Sequence, residues 1–174
     1  MNVMTLAAMV MLVAVLWCSP AEVRCQSGTK TKPVPVRKFD PTRDAARDIA
    51  DAQIEAKRSA RRVLLDVGGE WCVWCRRLDS LFVRNKNLAE ELHAGFVVVK
   101  VNSSPENKNE AVLGPLGKIP GYPHLFVLDE NGRLLHSQNT EELESGKGYD
   151  PEKVRAFIQA WRGPGKTAPP KERH

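Results

Sequence analysis

The sequence has little of what would indicate a specialised architecture. It contains four cysteines in 174 residues, too few pairs for a scaffold held together by disulfides. It has no internal repeat, and its hydrophobic share of 42% and charged share of 27% are ordinary for a globular protein. This composition excludes a disordered or fibrous chain, and the length predicts one domain with an adequate core.

No apolar run is long enough to cross a bilayer comfortably. Residues 6–17 are apolar without interruption, whereas a spanning helix needs about 20 such residues. Ser19 and Ala21 are small residues at the two positions that a signal peptidase reads. We therefore predict a signal peptide over residues 1–21 and a protein that is exported to the periplasm or secreted. Because residues 1–5 contain no Lys or Arg, an uncleaved membrane anchor is the alternative.

The net charge of +5 does not belong to the predicted domain. Residues 24–62 carry 11 basic and 5 acidic side chains, whereas residues 63–161 carry 11 basic and 14 acidic ones. Charge runs in flanking segments are usually solvated. We therefore expect no nucleic-acid partner, and we expect a monomer.

Proline, glycine and charge mark the ends of the domain. We predict a flexible linker over residues 22–39, which include two prolines and several Lys and Arg side chains. Residues 163–174 contain three Pro and two Gly and are predicted to be a disordered tail. The domain should therefore occupy residues 40–162.

Hydrophobic periodicity in the domain predicts alternating helices and strands, with the turn signal Asn-Gly inside a β-hairpin. This order predicts an α/β fold with a central mixed sheet and helices on both faces. The predicted elements are a helix from Asp40-Pro41 to Arg61, a strand over 63–67, a helix after Cys72, a helix from Asn87 to His93, a strand over 96–102, a short helix within 106–113, a hairpin of 124–128 and 133–137, and a helix from Asp150-Pro151.

Cys72 and Cys75 form a CxxC motif at the predicted start of a helix. The unpaired N–H groups and the positive end of a helix dipole favour a thiolate over a thiol at this place. We expect Cys72 to be the exposed nucleophile and Cys75, one turn further on, to be partly buried and to resolve the mixed disulfide. Cys25 has no partner nearby in the sequence and is either removed, free, or paired between chains.

Other uses of a CxxC motif fit the sequence less well. Covalent haem attachment needs His directly after the second cysteine, and Arg76 stands there. Zinc needs two further ligands, but His93, His124 and His136 are scattered and there is no second CxxC. A purely structural disulfide would close a very small loop and stabilise little.

Two segments that carry these cysteines and the next strand resemble the thioredoxin family. Residues 64–75 are similar to its active-site strand and turn, with Trp71 before the first cysteine and Asp66 six residues ahead of that cysteine. Residues 98–102 resemble the next strand of the family, with Lys100 in place.

A third segment, residues 121–127, resembles the part of thioredoxins that holds a cis-proline, here Pro123. The resemblance covers residues 61–161 and implies a thioredoxin fold. An exported copy is most similar to periplasmic thioredoxin-like proteins and to the soluble redox domains of membrane disulfide reductases. Val73-Trp74 replaces the Gly-Pro typical of thioredoxins, so redox potential and substrate preference do not transfer.

The resemblance implies a thiol–disulfide oxidoreductase that reduces protein disulfides. Asp66 would be a buried acid/base for Cys75, and Lys100 would be its charge partner; the alternative is that both lie in water at strand ends. The expected catalytic residues are Cys72, Cys75, Asp66 and Lys100, and the expected substrate-binding residues are Trp71, Trp74, Tyr122 and Pro123.

The expected partners are protein thiols and disulfides and an upstream electron donor, for which a membrane disulfide reductase is a candidate. We expect no metal and no cofactor apart from the redox-active disulfide. Two other functions remain open: a non-catalytic module that binds a client near Pro123, and a dithiol carrier of copper or zinc.

Overall fold

A computed structural model of the chain describes residues 38–165. The predicted signal peptide, nearly all of the predicted linker and most of the predicted tail lie outside these residues, as do Cys18 and Cys25. Within the described part of the chain, no helix is long and apolar enough to cross a membrane.

A four-stranded mixed sheet occupies the centre of the fold, in the order β2-β1-β3-β4. Strand β1 (Arg62–Gly68) pairs parallel with β2 (Phe96–Asn102) and antiparallel with β3 (His124–Leu128), and β3 pairs antiparallel with β4 (Leu134–Asn139). Every residue of β1 after Arg62 is buried. This pattern is typical of a central strand that is covered on both faces.

Helices cover both faces of the sheet, as the sequence predicts. Because side chains alternate along a strand, Leu64 and Leu65 of β1 point to opposite faces. Leu64 belongs to the core cluster formed with α2, α3 and α5, and Leu65 to the cluster formed with α1 and α4. The helices are α1 (Ala45–Ser59), α2 (Val73–Arg84), α3 (Lys86–Gly95), α4 (Glu110–Leu113) and α5 (Pro151–Trp161).

Two helix starts differ from the sequence prediction. Helix α1 begins with Asp44 as its N-cap, because the side chain of Asp40 accepts hydrogen bonds from the backbone and the hydroxyl of Thr42 and so forms a turn before the helix. Helix α3 begins with Asn85, not Asn87, as its N-cap.

The segment between β4 and α5 contains elements that the sequence does not predict. A 3₁₀ helix, Thr140–Leu143, is followed by the two-residue strands β5 (Glu144–Ser145) and β6 (Gly148–Tyr149), which pair antiparallel. Tyr149 is buried there against the ring of Trp74, at 5.7 Å between ring centroids. This segment therefore forms one wall beside the CxxC motif.

Candidate active site

The CxxC motif lies where the loop after β1 enters α2. Cys72 is the N-cap of α2, and its Sγ accepts a hydrogen bond from the backbone N–H of Cys75 at 3.0 Å. The two cysteines form a disulfide, with 5.2 Å between their Cα atoms. The sulfur of Cys72 therefore occupies the position in which a helix N-terminus stabilises negative charge.

Both sulfurs are shielded, which corrects the expectation of an exposed Cys72. Cys72 is 3% exposed and Cys75 is 2% exposed. Phe39, Trp74 and Tyr122 pack against the two cysteines and cover them. The assignment of Cys72 as nucleophile therefore rests on its N-cap position and not on exposure.

Gly68 allows the disulfide to lie directly on the end of β1. A Cβ atom at this position would collide with the Sγ of Cys75 and would come within 3.2 Å of the ring of Phe39. The absence of a side chain at Gly68 thus brings the sulfur of Cys75 against the strand that carries Asp66 two residues earlier, on the same face of the sheet.

Asp66 and Lys100 form a buried ion pair between neighbouring strands. They are register partners in β1 and β2, and the Nζ of Lys100 lies 2.8 Å from the Oδ2 of Asp66. Each side chain is 9% exposed, so the alternative of two solvated strand ends is wrong. Burial raises the pKa of Asp66 above its usual range, although Lys100 opposes that shift. The Oδ1 atom of Asp66 has no hydrogen-bond partner among the described residues.

Asp79 is a third member of this cluster that the sequence analysis does not identify. Its Oδ1 lies 2.7 Å from the Nζ of Lys100, and its side chain is 45% exposed. Burial lowers the pKa of Lys100, but the two carboxylates outweigh burial and the net shift is upward. Asp79 follows Cys75 by four residues in α2, a spacing that places both on one helix face and is the signal that could have indicated it.

Phe39 is a second residue that the sequence analysis does not identify, since it falls in the predicted linker. It is 4% exposed, and its ring centroid lies 4.2 Å from the Nζ of Lys100. Its backbone N–H donates to the Oε1 of Glu70 at 3.1 Å. The side-chain amide of Asn107 donates to the carbonyl of Pro41 at 2.9 Å. The chain ahead of α1 is thus fastened over the site at two points.

Three predicted substrate-binding residues place aromatic rings in this region: Trp74 and Tyr122 pack against the cysteines, and Trp71 contacts Tyr122. Trp71 is 54% exposed, and its indole N–H donates to the carbonyl of Ser103 at 3.1 Å. The rings of Trp71 and Tyr122 meet edge to face at 5.4 Å. Trp74 is half-buried, and the guanidinium of Arg77 lies 4.3 Å from its ring centroid. Together these rings present an apolar surface beside Cys72.

The Tyr122–Pro123 peptide bond is cis, as the resemblance implies. Pro123 is buried, and its carbonyl accepts a hydrogen bond from the hydroxyl of Thr140. His124 follows at the start of β3 and is also buried, with its Nε2 2.8 Å from the Oγ of Ser137. In residues 38–165, no group of three or more His, Cys, Asp or Glu side chains is arranged to hold a metal ion.

Comparison with known proteins gives the same fold. A family model described as Thioredoxin-like matches residues 44–130. A disulphide isomerase from Xylella fastidiosa Temecula1 superposes with a TM-score of 0.61 at 24% identity, over 70% of this chain and 94% of that one. The reduced C-terminal domain of DsbD from Neisseria meningitidis superposes with a TM-score of 0.51 at 20% identity, over 68% of this chain and 97% of that one. No curated protein sequence matches the chain.

The matched residues 44–130 contain β1, the CxxC motif and β2. The superposed structures share the mixed sheet with its flanking helices. The chain therefore belongs to the thioredoxin-like family, and its cysteine pair at a helix N-terminus is suited to thiol–disulfide exchange.

Proposed function

We propose that the protein is an exported thiol–disulfide oxidoreductase that reduces protein disulfides. The observation that carries the proposal is the Cys72–Cys75 disulfide at the start of α2, held against β1 beside the buried Asp66–Lys100 pair. A purely structural disulfide does not require a desolvated carboxylate near it. A resolving thiol does require a base, because it must lose its proton before it attacks.

The first step is attack by Cys72. In the reduced protein, the thiolate of Cys72 is stabilised by the N–H groups at the start of α2. It attacks one sulfur of the substrate disulfide, a mixed disulfide forms, and the other substrate sulfur leaves as a thiolate.

The second step is resolution by Cys75. Asp66 takes the proton from the thiol of Cys75, and the resulting thiolate attacks the Sγ of Cys72. The Cys72–Cys75 bond forms, the bond from Cys72 to the substrate breaks, and the second substrate thiolate leaves. The two electrons that reduce the substrate disulfide come from the cysteine pair.

The aromatic surface beside Cys72 is the place for the client. Trp71 and Trp74 offer exposed or half-exposed apolar rings. The backbone of Tyr122 before Pro123 would pair with an extended substrate segment as an added strand. Because both sulfurs are shielded, a client must displace part of this surface to reach Cys72.

The sequence supports the proposal of export, and export in turn calls for a source of electrons. Residues 6–21 carry the apolar run and the small residues of a signal peptide. An exported reductase has to be reduced again after each turnover, so we propose an upstream electron donor of the membrane disulfide reductase class.

A trapping experiment with single cysteine variants tests this function. With insulin as substrate, Cys75→Ala should accumulate a mixed disulfide on Cys72, because nothing remains to resolve it. Cys72→Ala should accumulate none, and both variants should lose turnover. Mass mapping of the adducts identifies the attached cysteine.

Two outcomes would contradict the proposal. No insulin reduction by the intact protein, with insulin still bound, would indicate a client-binding module. Copper or zinc retained through purification under reducing conditions, with no turnover, would indicate a metal carrier.

A further inference from the structure

The proton that leaves Cys75 needs a way out of a buried site. Asp66 is its acceptor in the proposed function, on which this inference rests. The side chain of Asp66 is 9% exposed, so the proton that it takes from Cys75 must pass on toward solvent if Cys75 is to stay a thiolate during its attack on Cys72. The residues around Asp66 determine which route is open.

Phe39 closes the direct route. Its ring lies over the Nζ of Lys100 and belongs to the same buried cluster as Cys72 and Cys75. It approaches the end of β1 closely enough that a Cβ on Gly68 would contact it at 3.2 Å. The hydrogen bond from its N–H to Glu70 holds this segment in place. Water is therefore kept away from the sulfur of Cys75 on this side.

Lys100 and Asp79 offer a second route made of polar atoms. The ammonium of Lys100 touches Asp66 at 2.8 Å and Asp79 at 2.7 Å. The side chains of Asp66 and Lys100 are each 9% exposed, whereas the side chain of Asp79 is 45% exposed. The three groups thus form a hydrogen-bonded chain from the buried acid/base to the surface.

We propose that Asp79 is the solvent end of a proton relay for the resolving step, and that Phe39 forces the proton to use it. Lys100 passes one of its protons to the carboxylate of Asp79 and accepts the proton of Asp66 in exchange. Lys100 ends as an ammonium, Asp66 as a carboxylate, and Asp79 releases the proton to water. Asp79 acts through Lys100 and is a positioning residue for the reaction.

The charged and titratable groups that face Asp66 come from three elements. Lys100 belongs to β2, Cys75 and Asp79 belong to α2, and Tyr149 of β6 is close enough to interact electrostatically with Asp66. Burial raises the pKa of Tyr149 to about 12, so Tyr149 does not compete as a proton carrier near neutral pH.

Single-turnover kinetics test the relay. The reduced protein is mixed with a peptide disulfide that carries a fluorophore and a quencher, in H₂O and in D₂O, over a range of pH. Release of the first peptide thiol reports attack by Cys72, and release of the second reports resolution by Cys75. Asp79→Asn should slow the second release by about tenfold, which is modest for loss of one proton-transfer group. It should leave the first release unchanged and enlarge the solvent isotope effect on the second.

A second substitution separates a relay from a purely electrostatic role. Phe39→Ala in the Asp79→Asn background should restore the second release, because water then reaches Cys75 and the ammonium of Lys100, which the ring of Phe39 covers, and can carry the proton away. Phe39→Leu in the same background should not restore it, since leucine keeps the seal. Asp79→Glu should retain the rate of the intact protein, and Glu91→Gln, which removes an ion pair with Arg155 away from the site, should change nothing.

The outcomes distinguish this inference from the proposed function. If the intact protein never releases the second thiol, the oxidoreductase proposal fails. If the intact protein releases the second thiol normally, two results would show that the relay is wrong. One is that Asp79→Asn releases the second thiol at the same rate and with the same pH profile as the intact protein. The other is that adding Phe39→Ala to Asp79→Asn slows the second release further. Should Asp79→Asn fold poorly, Asp79→Glu is tested in its place. If Asp79→Glu no longer releases the second thiol while attack by Cys72 is intact, the relay is also wrong.

Discussion

Gly68 is the residue at which the sheet and the redox helix come into contact. A methyl group there collides with the Sγ of Cys75, so Gly68→Ala has to push α2 or Phe39 outward. We expect a loss of about 1–3 kcal/mol in the free energy of unfolding, the usual cost of overpacking a core. Chemical denaturation of the oxidised protein measures it. Gly114→Ala is the matched control, because no atom lies within 4 Å of the added carbon.

Lys100 has two carboxylate partners, so the loss of one carboxylate leaves its ammonium paired with the other. In Asp66→Asn, Lys100 still has Asp79, so no buried charge is left unpaired. The substitution removes a desolvated carboxylate, and we expect it to stabilise the fold at neutral pH by about 1 kcal/mol. Removing both carboxylates, in Asp66→Asn combined with Asp79→Asn, should instead destabilise it.

The pH dependence of this stabilisation has a definite sign. Asp66 has a pKa raised above its unfolded value of 3.8, so the folded state binds more protons between these two values. The wild-type protein therefore loses stability as pH rises above 3.8 through the raised pKa of Asp66. Urea titrations at several pH values should show the advantage of Asp66→Asn growing over that window. An advantage that is constant with pH would contradict the assignment.

Some residues of the site could be predicted from the sequence, and others could not. The places of Asp66 and Lys100 follow from their position in adjacent strands, which the resemblance supplies. Asp79 does not stand out, because a charged residue on a helix is most often solvated. Its contact with Lys100 depends on how α2 packs across the sheet. Phe39 is one apolar residue after a stretch rich in proline and lysine, and no periodicity indicates that it is buried.

At the scale of secondary-structure elements, the N-caps of α5 and α1 offer a testable comparison. The side chain of Asp150 accepts from the N–H groups of Glu152 and Lys153 at the start of α5, whereas Asp44 accepts from Arg47 alone at the start of α1. We expect Asp150→Ala to cost about 1 kcal/mol and Asp44→Ala less, since fewer N–H groups lose a partner. Thermal unfolding of the two variants compares them. A greater loss in Asp44→Ala would show that cap geometry does not control these helix ends.

Elements with their own local signals are the ones that the sequence predicts well. Asp150-Pro151 opens α5 as expected, and Gly132 in the β3–β4 turn has a φ of 89°, which the Asn-Gly signal anticipates. The start of α1 is predicted too early, because Asp40 is as good a cap in sequence as Asp44. Only the contact between Asp40 and Thr42 distinguishes them.

At the scale of the whole molecule, one buried histidine should govern stability in weak acid. Burial, assisted by His136, holds the pKa of His124 below its usual value of 6.5. His124 then binds a proton more readily in the unfolded chain than in the folded state. The free energy of unfolding therefore decreases as pH falls below 6.5. One proton corresponds to a slope of at most about 1.4 kcal/mol per pH unit.

Replacement of His124 isolates this contribution. His124→Gln should flatten the fall in the free energy of unfolding between neutral pH and weak acid. Protonation of Asp66 stabilises the folded state as pH falls, which opposes the effect of His124. A variant that combines His124→Gln with Asp66→Asn should therefore show only the pH dependence of the remaining groups. An unaltered slope in His124→Gln would show that other groups carry the acid sensitivity.

The reduction potential of the Cys72–Cys75 pair decides whether the whole molecule works as a reductase. It is measured by equilibrating the protein in redox buffers of defined potential and counting alkylated thiols by mass. We predict a value between about −200 and −270 mV, the range of glutaredoxins and thioredoxin. A value near −120 mV would make the protein an oxidant, and one below about −300 mV would make the pair a structural disulfide. Either result would contradict the proposed reductase.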